Sequence, residues 1–256
     1  MSAAPGRLVL ATYNVHGWVD RRGRRDAARA LAVAAELEAD VLALQEVLDP
    51  GQDPVDTRRL ELFASLEGHD CLLGPTLRRG GERYGNALLT RLRVLALDRH
   101  ELAVQGREPR GLIEARLEAP GEPLHVLCTH LGLSRRERGT QVAWIAERVE
   151  RLDGPLALLG DFNTPLRRAP LGPITQRLGH APLARSWPAR LPLLPLDRIW
   201  VRPRELLLSL RAHASPAARR ASDHLPVVAE IAWPPPNGHA SAADVPASRR
   251  ALSRRR

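Results

Sequence analysis

The sequence predicts an α/β domain with several antiparallel strands, and three observations carry that expectation. First, a helix-period run from Arg25 to Glu38 lies between two apolar runs, Leu8 to Val15 and Val41 to Leu44, giving a strand–helix–strand start. Second, strand-length runs Asn86 to Leu89, Val94 to Leu97, Leu112 to Leu117 and Leu124 to Thr129 follow in close succession, the spacing of a meander. Third, the buried-type run Leu156 to Leu159 stops at Gly160 and presents Asp161, Phe162 and Asn163, and other strand-like runs also end in acids, amides or histidines.

Length and composition bound the rest. The chain has 256 residues, 44% of them hydrophobic, enough for a substantial core. We read residues 1–233 as one domain and Pro234 to Arg256, rich in Pro, Ala, Ser and Arg, as a disordered tail. No apolar run has membrane-spanning length, and Met1 to Gly6 is too short for a secretion signal. Two cysteines, Cys71 and Cys128, argue against a disulfide framework and for a reducing cytoplasm. The formal charge is +9 with no lysine, every basic side chain being arginine. The tail holds Arg249, Arg250, Arg254, Arg255 and Arg256 against Asp244, so the body is only mildly basic. That suits an anionic substrate and lacks the dense basic stripe of a dedicated duplex binder.

Taken in order, the first strand ends at Asn14 and Val15. The following helix carries Ala27, Ala30, Leu31, Ala34 and Leu37 on one face, with Asp26 favouring its N-terminus. Val41 to Leu44 delivers Gln45 and Glu46. A helix with Leu60, Phe63 and Leu66, capped by Asp56, leads to a short strand, Cys71 to Leu73, and a polar loop, Arg78 to Glu82. After the meander, Ser134-Arg135-Arg136-Glu137 has capping-box spacing, and Val142, Ile145, Val149 and Leu152 continue that helix to Gly154-Pro155. Pro165 to Pro195 reads as a proline-rich loop with one short helix near Ile174. Leu196 to Val201, Leu206 to Leu210 and Val227 to Ile231 are the last strands.

The candidate chemistry sits at strand ends: Asn14, Glu46, His130, Asp161 with Asn163, Asp197, and Asp223 with His224. An oxygen-rich set of this kind suits Mg²⁺ or Mn²⁺, whereas the absence of a cysteine pair or close histidine pair argues against zinc.

These residues lie in seven short motifs: Thr12-Tyr13-Asn14-Val15, Leu44-Gln45-Glu46-Val47, Tyr84-Gly85-Asn86-Ala87, Thr129-His130-Leu131, Gly160-Asp161-Phe162-Asn163, Leu196-Asp197-Arg198-Ile199 and Ser222-Asp223-His224-Leu225-Pro226-Val227. Each is weak alone. In this order and spacing the set resembles the endonuclease/exonuclease/phosphatase superfamily, the deoxyribonuclease-I-like fold, over nearly the whole body. The resemblance implies a four-layer α/β/β/α sandwich of two mixed sheets, with the site where strand ends converge. It implies hydrolysis of a phosphoester with Mg²⁺ or Mn²⁺, a phosphodiester of nuclease type first. A phosphomonoester or lipid (sphingomyelin or inositol phospholipid) substrate is the alternative, and a silent binding module is the least favoured reading.

The roles it implies are specific. Glu46 is the main metal carboxylate, with Asn14 beside it and Asp223 reaching the metal or its waters. Asp161 orients or deprotonates the attacking water, helped by Asn163. His224 acts at the phosphate, its ring fixed by Asp197. His130 gives a hydrogen bond to the phosphate or a proton to the leaving oxygen, oriented by Glu82. Asn86 and Arg110 bind the phosphate. Val47-Leu48 after Glu46, and His130 where abasic-site repair members carry tyrosine, place the chain outside the repair branch. The partner expected is the phosphoester substrate, nucleic acid or a phospholipid headgroup among the possibilities, and the protein is expected to be a monomer.

Overall fold

In the computed structural model, which describes residues 6–20, 22–49, 57–165 and 170–233, two sheets stack face to face. The first has the order β10-β11-β1-β2-β4-β3. Its strands are β1 (Gly6–Asn14), β2 (Val41–Asp49), β3 (Asp70–Arg79), β4 (Glu82–Thr90), β10 (Leu207–Ala212) and β11 (Val227–Trp233). The second has the order β5-β6-β7-β8-β9, made of β5 (Val94–Glu101), β6 (Gly111–Leu117), β7 (Leu124–His130), β8 (Leu156–Asp161) and β9 (Asp197–Arg202). Each sheet mixes one parallel pair, β1 with β2 and β7 with β8, with antiparallel neighbours.

Alternation along the strands explains why their sequences read as unbroken apolar runs. Leu8 and Leu10 of β1, Val41 and Ala43 of β2, Val126 and Cys128 of β7, and Ala157 and Leu159 of β8 form the core between the sheets. Their neighbours point the other way. Ala11, Tyr13, Leu42 and Leu44 pack outward with Leu31 and Ala34 of α1 (Ala27–Ala35) and Leu60 of α2 (Thr57–Leu66). Leu127, Leu156 and Leu158 pack outward with Val142, Ile145 and Val149 of α3 (Arg135–Glu150) and Ile174 of α4 (Gly172–Leu178). Strands buried on both faces lose the polar alternation of a half-exposed sheet. Three cores make four layers, the sandwich that the resemblance implied, with the short α5 (Ala218–Ala221) on the first outer face.

Several expectations are corrected. Helix α1 is shorter than Arg25 to Glu38: Asp26 caps it by accepting from the Ala28 N–H, and Glu38 already has φ 47°. On α2, Leu60 is buried but Leu66 is 77% exposed, so that helix does not bury the whole expected stripe. The Arg78 to Glu82 loop is a hairpin: β3 and β4 pair from Asp70↔Thr90 to Arg79↔Glu82 around Gly80 and Gly81, both at positive φ. The meander has three strands, β5 to β7, because the Asn86 to Leu89 run belongs to β4 in the other sheet. Ser134 and Glu137 do form the capping box of α3. The Asp56 cap and the tail after Trp233 lie outside the described residues.

Candidate active site

The inward-facing register that builds the central core turns polar at one end of the sandwich. Along β1 it runs Leu8, Leu10, Thr12, Asn14; along β7 Leu124, Val126, Cys128, His130; along β8 Ala157, Leu159, Asp161. Strand β9 enters from the opposite direction and brings Asp197 beside Asp161, while β4 brings Asn86 one alternate position beyond Leu88. Thr12 donates to Gln45 at 3.1 Å, and the Gln45 amide lies 3.8 Å from Cys128, a polar floor under the site.

Glu46 reaches this end by a break in the ladder. The β2–β4 register shifts between Leu44 and Val47, and Glu46 has φ 58°, an uncommon conformation for a residue with a side chain. Gln45 faces inward while Val47 joins the outer core, so the bulge frees Glu46 from the alternation. A loop from His16 to Trp18, all three at positive φ, lies over the bulge, and the Trp18 indole donates to the Leu48 carbonyl at 2.7 Å. Gly160 is required for another reason. A Cβ there would lie 1.9 Å from the Thr129 carbonyl oxygen, across the parallel β7–β8 pair.

Oδ2 of Asp161 is the meeting point. The Asn14 amide donates to it at 3.1 Å and to Glu46 Oε1 at 3.1 Å, joining the two acids. His130 Nε2 lies 3.6 Å away and His224 Nε2 3.7 Å away. Behind His224, Nδ1 is 2.8 Å from Asp197 Oδ2. The Asn163 backbone N–H donates to Asp161 Oδ1 at 2.9 Å, and its side-chain nitrogen donates to the Leu131 carbonyl at 2.9 Å while lying 3.1 Å from His130 Nε2. Arg110, 7% exposed, places Nη1 3.4 Å from His130 Nδ1 and 2.8 Å from Glu108. Asn86 donates to the Gly111 carbonyl at 3.2 Å, next to Arg110 in the chain.

The two histidines are driven in opposite directions. Burial depresses His130 to about 3; Asp161 works against this, and Arg110 and His224 add to it, so the ring is neutral at neutral pH. Both ring nitrogens face donors, the Arg110 guanidinium at Nδ1 and the Asn163 side-chain amide at Nε2, while Nε2 also lies toward Asp161. Burial opposes charge on His224 too, but Asp197 and Asp161 outweigh it and raise the ring to about 10. His224 is therefore an imidazolium held between two carboxylates.

Asp223, expected to reach the metal or its waters, lies beside His16. Its Oδ1 is 2.6 Å from His16 Nδ1, and its Oδ2 accepts from the Trp187 indole at 3.2 Å. Glu82 does not orient His130; it pairs with Arg25 at 2.7 Å.

Comparison with known proteins matches residues 11–224 to the Endonuclease/Exonuclease/phosphatase family. The chain belongs to that family. Its members include phosphodiesterases and nucleases, and they generally hydrolyse phosphoester bonds. The chain is 34% identical to YbhP of Escherichia coli K12, itself uncharacterised, over 247 residues that cover 87% of this chain and 95% of YbhP. A family structure from Beutenbergia cavernae superposes with a TM-score of 0.69 at 22% identity, covering 88% of this chain and 71% of that one. D. rerio TDP2, solved with a single strand DNA product, has a TM-score of 0.65 at 19% identity, covering 88% of this chain and 98% of TDP2. These structures share the deoxyribonuclease-I-like sandwich.

The family's divalent cation has a fitting donor set in this chain. Among the described residues Glu46 enters no ion pair, and Asn14 is its hydrogen-bond partner, so the chain leaves its charge for a cation to meet. Asp161, Asp197 and His224 also bring ligand atoms within 4.8 Å of one another. There the imidazolium already supplies the positive charge, and Nδ1 is committed to Asp197. Glu46 with Asn14 offers the carboxylate and amide oxygens that such a cation takes.

The sequence reading missed His16, Trp18, Ser186 and Trp187. Ser186 accepts from the Asp197 backbone N–H at 3.3 Å, and Trp187 fixes Asp223. Both come from the proline-rich stretch, where no periodicity marks a functional position. His16 directly follows the Asn14-Val15 motif and was legible as a histidine at a strand end.

Proposed function

We propose that the protein is a divalent-metal-dependent phosphodiester hydrolase. The observation that carries the reading is the convergence on Asp161 Oδ2 of Asn14, neutral His130 and the Asp197-backed His224 imidazolium. Attack on a phosphodiester needs its negative charge met, water made nucleophilic and the leaving oxygen protonated. Among the described residues, Asp161 is the carboxylate placed beside both histidines. It accepts a proton from water as the water oxygen bonds to phosphorus. The Nε2–H of His224 points to the same space and gives its proton to the departing oxygen as the P–O bond breaks. Asp161 then returns the water's proton to His224, so the proton count closes. His130, neutral, lies beside the phosphate position as a hydrogen-bonding group and is not the general acid. Arg110 and Asn86 hold the phosphate beyond it. A cation held by Glu46 and Asn14 supplies Lewis-acid neutralisation of a phosphate oxygen. Asp223 positions His16 at the edge of the cation position. The single strand DNA product seen with TDP2 supports diester chemistry on this scaffold.

The test is hydrolysis of bis(4-nitrophenyl) phosphate and 4-nitrophenyl phosphate with EDTA, Mg²⁺ or Mn²⁺. The diester should be cleaved faster and only with a cation. Equal turnover in EDTA would overturn the mechanism, and preference for the monoester would overturn the diester assignment.

A further inference from the structure

Beyond the catalytic cluster, a cavity of about 300 Å³ opens between the edges of the two sheets, where β3 of one faces β5 and β6 of the other. It begins at Arg110 and Gly111. Arg110 also contacts His130, and the Gly111 carbonyl also accepts from Asn86, so cavity and catalytic site share a wall. The cavity lies one strand beyond Asn86 and two beyond His130, a reach of roughly 5 to 10 Å from the phosphate position. That is the reach of the group esterified to the phosphate.

The lining indicates what that group is. Thr76, Arg99, Glu101 and Arg110 place a hydroxyl, two guanidiniums and a carboxylate around one space, and Pro75 and Pro109 add apolar surface. Arg110 is more than nine-tenths buried, and its Nε has no hydrogen-bond partner. Among the described residues Glu101 is in no ion pair. His100 is committed to Glu114 at 2.9 Å and to the Trp144 ring; Arg99 Nε and the Thr76 hydroxyl donate to the Leu73 and Tyr84 carbonyls, and Arg110 Nη1 pairs with Glu108. No Phe, Tyr or Trp lines the space among the described residues, whereas sites for unpaired bases rely on aromatic stacking. Donors and acceptors of both charge signs around a small volume match adjacent hydroxyl groups, each of which both gives and takes a hydrogen bond. We infer that this cavity is a specificity subsite for a polyhydroxylated alcohol carried on the phosphate, read by Arg99 and Glu101. The inference rests on the phosphodiester reading for the phosphate position alone.

Calorimetric titration of the full chain in Mg²⁺ with glucose 6-phosphate, thymidine 5′-monophosphate and inorganic phosphate tests it. The sugar phosphate should bind at least about tenfold tighter than inorganic phosphate, the scale of one or two added hydrogen bonds. The double variant Arg99→Ala with Glu101→Ala should lose that advantage while keeping its affinity for inorganic phosphate and its turnover of bis(4-nitrophenyl) phosphate. Equal affinities, tighter binding of the nucleotide, or an unchanged advantage in the variant would each overturn the subsite. Turnover of bis(4-nitrophenyl) phosphate by the wild type reports separately on the phosphodiester reading, so the two can fail independently.

Discussion

At Asp161 one oxygen serves three neighbours, and this makes its substitutions informative. Asp161→Asn keeps the volume but sets an amide against the Asn14 amide and both histidines, and it removes the base. Loss of an acid–base participant typically costs about 10² to 10⁴ in rate. Asp161→Asn and His224→Ala should therefore fold and lose at least about a hundredfold in kcat, read on bis(4-nitrophenyl) phosphate. Asp197→Asn should lose less, because it touches the ring and not the phosphate. Glu46→Gln should differ in kind, recovering part of its rate as Mg²⁺ is raised. A Glu46→Gln defect indifferent to Mg²⁺ would remove Glu46 from the cation position. The histidines also set a pH profile for stability. His224 titrates at about 10 in the fold against an ordinary 6.5, so between those values the folded chain keeps a proton that the unfolded chain has lost. Its contribution is complete below about 6.5 and is lost as pH rises through about 10. His130, at about 3, acts oppositely: between about 3 and 6.5 the unfolded chain binds the extra proton, and stability falls with falling pH. Urea unfolding at stepped pH should show the alkaline decline in the wild type and a shallower one in His224→Gln. Identical alkaline limbs would show that His224 is not charged between its two acids.

The strand is the element that made the site legible. Acids, amides and histidines placed after apolar runs stood out because each run is buried on both faces and ends where the interior opens. Asn14, His130 and Asp161 continue the inward register of β1, β7 and β8, so strand ends read from the sequence already named the residues that meet. What stayed hidden has physical reasons. The tip of the β3–β4 hairpin, Arg78 to Arg83, is rich in arginine and glycine and lacks the apolar alternation that marks a strand, so the two arms read as separate strands. The burial of Arg110 depends on the β6 edge packing near His130, which no local pattern announces among so many arginines. Likewise Glu46 is visible as a residue, but the bulge that turns it is a property of pairing with β4. Gly160 tests the element directly. In Gly160→Ala the new Cβ would meet the Thr129 carbonyl, so β7 and β8 must part where His130 and Asp161 face each other. We expect destabilisation toward the upper end of the about 1 to 3 kcal/mol typical of overpacking, measured by chemical denaturation, with kcat reduced as well. A variant of wild-type stability would mean that the strand pair is looser than its register indicates.

At the scale of the whole molecule, the described residues end at Trp233. That residue closes the central core: it is 2% exposed, and its indole donates to the Pro120 carbonyl at 2.9 Å. The segment beyond it contributes five arginines and one acid toward a formal +9, so a large share of the net charge lies past the last described residue. The side chains of the proposed site, and the two sheets and three cores of the described residues, lie at or before that point. Deleting Asn237 to Arg256 should therefore leave the melting temperature and the turnover of bis(4-nitrophenyl) phosphate unchanged. It should weaken association with a polyanion such as heparin or single-stranded DNA, because fewer counterions are released when fewer cations bind. The difference between full-length and truncated chains should shrink as salt rises, since screening at about 1 M shortens the reach of exposed charges to roughly 3 Å. A drop in melting temperature on truncation would show that the segment packs on the sandwich. A salt-independent loss of polyanion binding would show contacts other than those of its arginines. Polyanion affinity that survives truncation unchanged would place the binding surface on the body, where Arg99 and Arg110 already face the cavity between the sheets.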